Sequence, residues 1–224
     1  MTRRRLLLAV LVVLASVGVT TTVLARAGAG PDRCGVRADR AAQRAELVTG
    51  TGPEVLVVGD SYSVGVGVGS ARSWPVRLPG RVRVDGFSGS GFSVGASACG
   101  DLSYASRVER SLRRTTDLVV VEGGLNDHDQ PIADVEAGAE RLLDRIGATP
   151  ALLVGPPVVP DRSRAAVQEI DATLARVASE RGVPYLSMLE VDLSLLEDRL
   201  HPDRAGHRRF GDVVGERVEA LLAR

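Results

Sequence analysis

The chain has 224 residues, 44% of them hydrophobic, which is enough for one compact domain but not two once a terminal targeting segment is set aside. Lys+Arg and Asp+Glu balance at 28 each, so no net positive field gathers a polyanion and nucleic acid is not an expected partner. Every basic residue in that count is an arginine, which excludes a phosphate-loop lysine and a lysine Schiff base.

Arg3, Arg4 and Arg5 precede an apolar run from Leu6 to Leu24, and small residues including Ala25-Arg26-Ala27 follow it. This order makes residues 1–30 an export signal and predicts an extracytoplasmic domain. The run approaches the ~20 residues that span a bilayer, so two outcomes stay open. Either the signal is cleaved and the protein secreted, or residues 6–24 remain as a membrane tether. Cys34 and Cys99 are the only cysteines, and in an oxidising compartment they are expected to form one disulfide, two separate buried thiols being the alternative. Residues 31–53 mix small, charged and turn-forming types without sustained periodicity and read as a linker with one short helical turn.

The folded domain is expected over 54–224. Short β-branched runs recur at Val55 to Val58, Val82 to Val84, Leu118 to Val121, Leu152 to Val154 and Val183 to Leu186, the pattern of buried parallel strands. Between them, Val135, Ala139, Leu142, Leu143 and Ile146 repeat at helical spacing, as do Val167, Ile170, Leu174 and Val177. Phe210, Val213, Val214, Val218, Leu221 and Leu222 mark a last helix. The β, α, β, α alternation predicts a three-layer α/β/α sandwich with a flavodoxin-like, five-stranded parallel sheet. In such sheets ligands bind beyond the carboxyl ends of the strands, so the loops after strands are where chemistry belongs.

Four of those loops carry reactive types. Gly59-Asp60-Ser61 follows the first strand, where a serine at a strand-to-helix turn exposes its hydroxyl and offers its backbone N–H to a developing anion. Taken alone, Ser61 reads first as a helix cap following a turn glycine. The second loop, Asp85 to Phe92, contains Gly86, Gly89 and Gly91, which let backbone approach a ligand. The third, Glu122-Gly123-Gly124-Leu125-Asn126-Asp127, sets the Asn126 amide beside a glycine turn. Near the carboxyl end, Asp198-Arg199-Leu200-His201 spaces a carboxylate three residues before a histidine, so that the acid can hold one imidazole nitrogen while the other faces a nucleophile. His128 and His207 are the other histidines, and His207 falls inside the last helical pattern.

In order, spacing and placement after strands, these four stretches resemble the SGNH hydrolases, also called the GDSL esterase and lipase family, over about Glu54 to the end. The resemblance implies Ser61 as nucleophile, His201 as base and Asp198 as its orienting acid. It further implies an oxyanion site made by the Ser61 and Gly89 N–H groups and the Asn126 amide, with Gly91 as the alternative to Gly89. Tyr62 stands where the family name has leucine and is expected to alter pocket shape rather than the reaction. The implied activity is hydrolysis of acyl or acetyl esters through an acyl-enzyme, on a small-molecule or glycan substrate, by a monomer without cofactor or metal. Trp74, Phe87, Phe92, Tyr62 and Tyr104 are candidates for an acyl pocket or sugar-stacking surface, with core packing as the alternative.

Competing readings are weaker. A metal-dependent phosphoesterase would draw on Asp60, Asn126, Asp127, His128 and Asp129, but three histidines are few for a two-metal cluster. Dinucleotide binding would need Gly65, Gly67 and Gly69 in the turn directly after the first strand, and they come later. A non-catalytic binding module on the same fold is the non-enzyme alternative.

Overall fold

The computed structural model describes residues 32–224, so the export segment and its apolar run lie outside the described residues. Among those described, no helix is long and apolar enough to cross a membrane. Contacts divide the chain into Met1–Val36, of which only the beginning of a helix is described, and Arg37–Arg224, to which the following account refers.

That first helix, α1 (Arg33–Glu46), occupies the stretch expected to be a linker. Its alanines, arginines and glutamate are all good helix formers, and Ala38, Ala41, Ala42 and Ala45 recur at helical spacing. Alanine is too weakly apolar to stand out in a search for hydrophobic periodicity, which is why the helix escapes such a reading. Its far end is anchored by Arg44, which is fully buried. The Arg44 Nε donates to the Ser63 carbonyl at 3.1 Å and Nη1 to the Leu47 carbonyl at 3.1 Å. Both cysteines are disulfide-bonded, so neither is a free thiol.

Five strands follow: β1 (Glu54–Gly59), β2 (Arg81–Gly86), β3 (Leu118–Glu122), β4 (Ala151–Val154) and β5 (Tyr185–Leu186), all parallel in the order β2-β1-β3-β4-β5. Strand β5 is shorter than the run Val183 to Leu186 suggests. Pro184 has no N–H to give a ladder, and only its carbonyl takes part, accepting from Leu153 N at 3.0 Å.

The alternation of strand side chains sends β-branched residues to both faces, which explains the uninterrupted apolar runs. On one face Leu56, Val58, Val119, Val121 and Leu153 pack against α3 (Tyr104–Ser111), α4 (Ile132–Ile146) and α5 (Arg164–Glu180). On the other, Val55, Val57, Val82, Val84, Val120 and Val154 pack against Trp74 and the Phe210, Val214 and Val218 ridge of α6 (Arg204–Leu222). Burying each such side chain contributes about 1.5–3 kcal/mol, so both cores are needed to offset the entropy of ordering the chain.

This topology decides where chemistry sits. The connection from β1 runs to β2 on one side and that from β3 runs to β4 on the other, so a crevice opens between the carboxyl ends of β1 and β3. The four-residue helix α2 (Ser61–Val64) begins at that crevice and is stopped by Gly65, whose φ of 84° closes the turn.

Candidate active site

Asp60 caps α2, its carboxylate accepting from Tyr62 N at 2.9 Å, and this puts Ser61 on the first helical residue at the end of β1. The hydroxyl of Ser61 lies 3.0 Å from Nε2 of His201. The other ring nitrogen of His201, Nδ1, lies 2.7 Å from Oδ2 of Asp198. Residues separated by 140 positions thereby form one continuous chain of hydrogen bonds.

The histidine is held by the loop before α6. Leu196 N donates to the His201 carbonyl at 2.8 Å, and Asp203 caps α6 by accepting from Ala205 and Gly206 N–H groups. Within the loop, Oδ1 of Asp198 accepts from Leu200 N at 3.0 Å and His201 N at 2.9 Å. Partial burial pushes the Asp198 carboxyl up, but the backbone and ring bonds from His201 and the Leu200 N–H outweigh it and hold the pKa below the ordinary carboxylate value. Turning the chain this tightly puts Arg199 at φ 58°, the one non-glycine residue with positive φ among those described.

Asn126 sits on a 3-10 turn (Leu125–Asp127) that Gly124, at φ 118°, allows to leave β3 sharply. Its amide nitrogen is 3.0 Å from Oδ2 of Asp60 and 2.9 Å from the Ser90 carbonyl. Both amide hydrogens are therefore engaged in the free protein, and the asparagine links the Asp60-Ser61 turn to the glycine loop after β2. In that loop Gly89 has φ 83°, is partly exposed, and donates its N–H to no acceptor among the described residues. Gly91 is buried, and a Cβ there would come within 2.3 Å of Oδ2 of Asp127. Asp127 itself accepts from Phe92 N, Ser93 N and Ser93 Oγ at 3.0, 2.8 and 2.7 Å, so it pins the loop.

Further residues complete the site, and of these the motifs gave Glu122 and Arg107 no role. The Tyr62 hydroxyl donates to the Leu200 carbonyl at 2.6 Å, tying the serine's helix to the histidine's loop across 138 residues. Tyr62 is thus a buried strut rather than a pocket wall. Trp74, Phe87, Phe92 and Tyr104 are also buried, so these aromatics pack the core instead of offering a stacking surface. Glu122, at the end of β3, is buried and accepts from Ser63 Oγ at 2.7 Å. Burial first, then the nearby Asp60, pushes the Glu122 carboxyl well up. Burial likewise pushes Asp60 up to about 6. A glutamate closing an otherwise apolar strand is the one sequence signal that marks this layer.

Arg107, buried on α3, donates from Nη2 to the Gly59 carbonyl at 2.8 Å and to Ser90 Oγ at 3.1 Å, and pairs with Asp85. His207 is buried; its Nδ1 accepts from Trp74 N at 3.3 Å, and burial lowers its pKa to about 4, so it is neutral and structural. A groove of about 560 Å³ lies between α1 and β2, lined by Ala41, Ala45, Phe87, Leu102 and Arg107 among others, and does not include Ser61.

The family profile of the GDSL-like lipase/acylhydrolases matches residues 57–209. Among solved structures, a carbohydrate acetylesterase from Sinorhizobium meliloti superposes with a TM-score of 0.65 at 17% identity, covering 76% of this chain and 100% of that one. An aryl esterase from M. smegmatis gives 0.64 at 20% identity, and a putative arylesterase from Agrobacterium tumefaciens 0.64 at 20%, each over 76% of this chain and 100% of its own. At such identities the superpositions speak for the fold. Among curated proteins, none matches the chain. With the profile spanning β1 through the start of α6, the chain belongs to the GDSL-like lipase/acylhydrolase family and is a carboxylic ester hydrolase.

Proposed function

We propose that Ser61 is the nucleophile, His201 the general base and Asp198 the residue that orients it, in hydrolysis of short acyl or acetyl esters through an acyl-enzyme. The observation that carries this reading is the unbroken chain from Ser61 Oγ to His201 Nε2 at 3.0 Å and from Nδ1 to Asp198 at 2.7 Å. In the first step the Ser61 proton passes to Nε2 as Oγ bonds to the carbonyl carbon. The tetrahedral intermediate collapses, and the departing alkoxide takes that proton. Water then attacks the acyl-serine as His201 takes its proton, and that proton passes from Nε2 to the departing Ser61 Oγ as the acid is released. Asp198 accepts the Nδ1 proton's hydrogen bond and stabilises the imidazolium.

For the oxyanion, the Ser61 and Gly89 N–H groups and the Asn126 amide are the donors. Gly89 is preferred over Gly91 because it is partly exposed while Gly91 is packed on Asp127. Because Asn126 already serves Asp60 and Ser90, it reaches the oxyanion by sharing one of those hydrogens. Losing such a donor costs ~100-fold to 1000-fold in turnover. A short acyl group suits a chain whose aromatics are spent on the core. Export by residues 1–30, with or without retention of the 6–24 tether, and action as a monomer belong to the same proposal.

The test is hydrolysis of chromogenic acyl esters of increasing chain length by residues 31–224 with the disulfide intact. Activity is expected to be greatest on acetyl and short acyl esters and to fall at least ~1000-fold in Ser61→Ala. Equal rates for the two proteins would overturn it.

A further inference from the structure

Helix α1 lies outside the residues 57–209 that match the family, yet its side chains reach the site's edges. Arg37, Arg40 and Arg44 recur at three- and four-residue spacing and so share one face of it. Arg44 fastens that face beneath the serine's helix through the Ser63 carbonyl. Arg37 lies against the loop that holds the partly exposed Gly89: a Cβ built on Gly89 would stand 2.6 Å from the Arg37 Nη1 and 3.2 Å from its Cζ. The next residue, Ser90, is the one whose carbonyl receives the Asn126 amide, so this guanidinium is one residue removed from the network around Asp60 and Ser61.

One turn further on, Arg40 lines a groove of about 280 Å³ with Gln43, Val64, Gly65, Gly67 and Ser70, which opens directly after the serine's helix. Neither Arg37 nor Arg40 has a carboxylate partner among the described residues, whereas Arg83, Arg107, Arg162 and Arg176 all do. A partly desolvated guanidinium without a counter-ion, beside a bare backbone N–H, is a place where an anion gains more than at an open surface.

Resting on the function proposed above, we infer that α1 is a specificity element: Arg37, with Arg40 beyond it, binds a negatively charged group on the ester substrate. The preferred substrates are then esters bearing a carboxylate or like anion a few bonds from the scissile carbonyl, on either its acyl or its alcohol side.

The test compares kcat/KM for two matched pairs. Mono-para-nitrophenyl succinate against para-nitrophenyl butyrate places the charge on the acyl side; meta-acetoxybenzoate against phenyl acetate places it on the alcohol side. The wild-type protein is expected to favour the anionic member of one pair, which identifies the side. In Arg37→Ala that anionic-to-neutral ratio is expected to fall about 10-fold, the scale of one charge-assisted hydrogen bond, with Arg37→Lys recovering part of it. The change should appear chiefly in KM, and 0.5 M salt should erode the wild-type preference. A ratio unchanged within about twofold in Arg37→Ala, while hydrolysis still requires Ser61, would overturn the role of α1 and leave the esterase reading intact. Should no ester be turned over, the esterase reading fails first. Calorimetric titration of the Ser61→Ala protein with monomethyl succinate then decides the anion site by itself: binding lost on adding Arg37→Ala supports it, and equal binding with and without Arg37 rejects it.

Discussion

Replacing Asp60 by asparagine isolates the electrostatics beside Ser61, the proposed nucleophile. Asp60 is fully buried, and its carboxylate accepts from Tyr62 N and from the Asn126 amide. Burial pushes its pKa from 3.8 up to about 6. Between about pH 4 and 6 the folded chain therefore holds this proton more tightly than the unfolded chain. The group's contribution to stability is complete below about pH 4 and is lost as pH rises through about 6. A shift of roughly two units corresponds to about 3 kcal/mol. Asparagine has nearly the same shape but no such proton. Its amide can satisfy only one of the two donors, a penalty of about 1–3 kcal/mol that does not vary with pH.

Asp60→Asn should accordingly be the less stable protein at pH 4, and its stability relative to wild type should then rise by about 3 kcal/mol between pH 4 and 7. Glu122 titrates in both proteins, and because the Asp60 charge contributes to its upward shift, removing that charge changes the difference in the same direction. Urea unfolding at four pH values, with the disulfide intact and the m-value checked for constancy, measures it. A difference between the two proteins that stays constant within about 0.5 kcal/mol across the range would contradict a raised pKa at Asp60.

Two further substitutions probe the loop that carries His201. Tyr62→Phe removes the 2.6 Å bond to the Leu200 carbonyl and should cost about 1 kcal/mol of stability in denaturant. In the assay it should lower kcat several-fold with KM little changed, since the strut positions the loop of His201, the proposed base, and not the substrate. Arg199→Gly relieves a side chain held at φ 58°; a gain of about 1–2 kcal/mol in the folded state, less the extra freedom of glycine when unfolded, should leave a net stabilisation of roughly 0.5–1 kcal/mol by chemical denaturation. Turnover of neutral esters should persist in that variant, because the Leu200 and His201 N–H groups still bond Asp198.

The strands were readable because a parallel sheet covered on both faces leaves an unmistakable local trace: Val55 to Val58 and Leu118 to Val121 are apolar at every position. The helices α4 and α5 were readable for the matching reason, a period of three and four residues. Helix α1 was not, since alanine marks a helix by propensity while contributing little periodicity. The aromatics were ambiguous because size and apolarity suit a pocket wall and a core equally, and only their burial distinguishes them.

At the site the division has a physical origin. By itself the sequence determined the residue types, their order and their placement after strands, since the glycines of tight turns and the short spacing from Asp198 to His201 are local requirements. Only the tertiary structure decided which groups meet. The contact of Ser61 with His201 spans 140 residues, that of Tyr62 with Leu200 spans 138, and the engagement of Asn126 by Asp60 spans 66. It also decided that Gly91 is buried against Asp127 while Gly89 stays partly exposed with Arg37 against it. Such pairings depend on how the sheet brings distant loops to one edge, and the geometry of that edge is a property of the packed layers, with no counterpart in the spacing of residues along the chain.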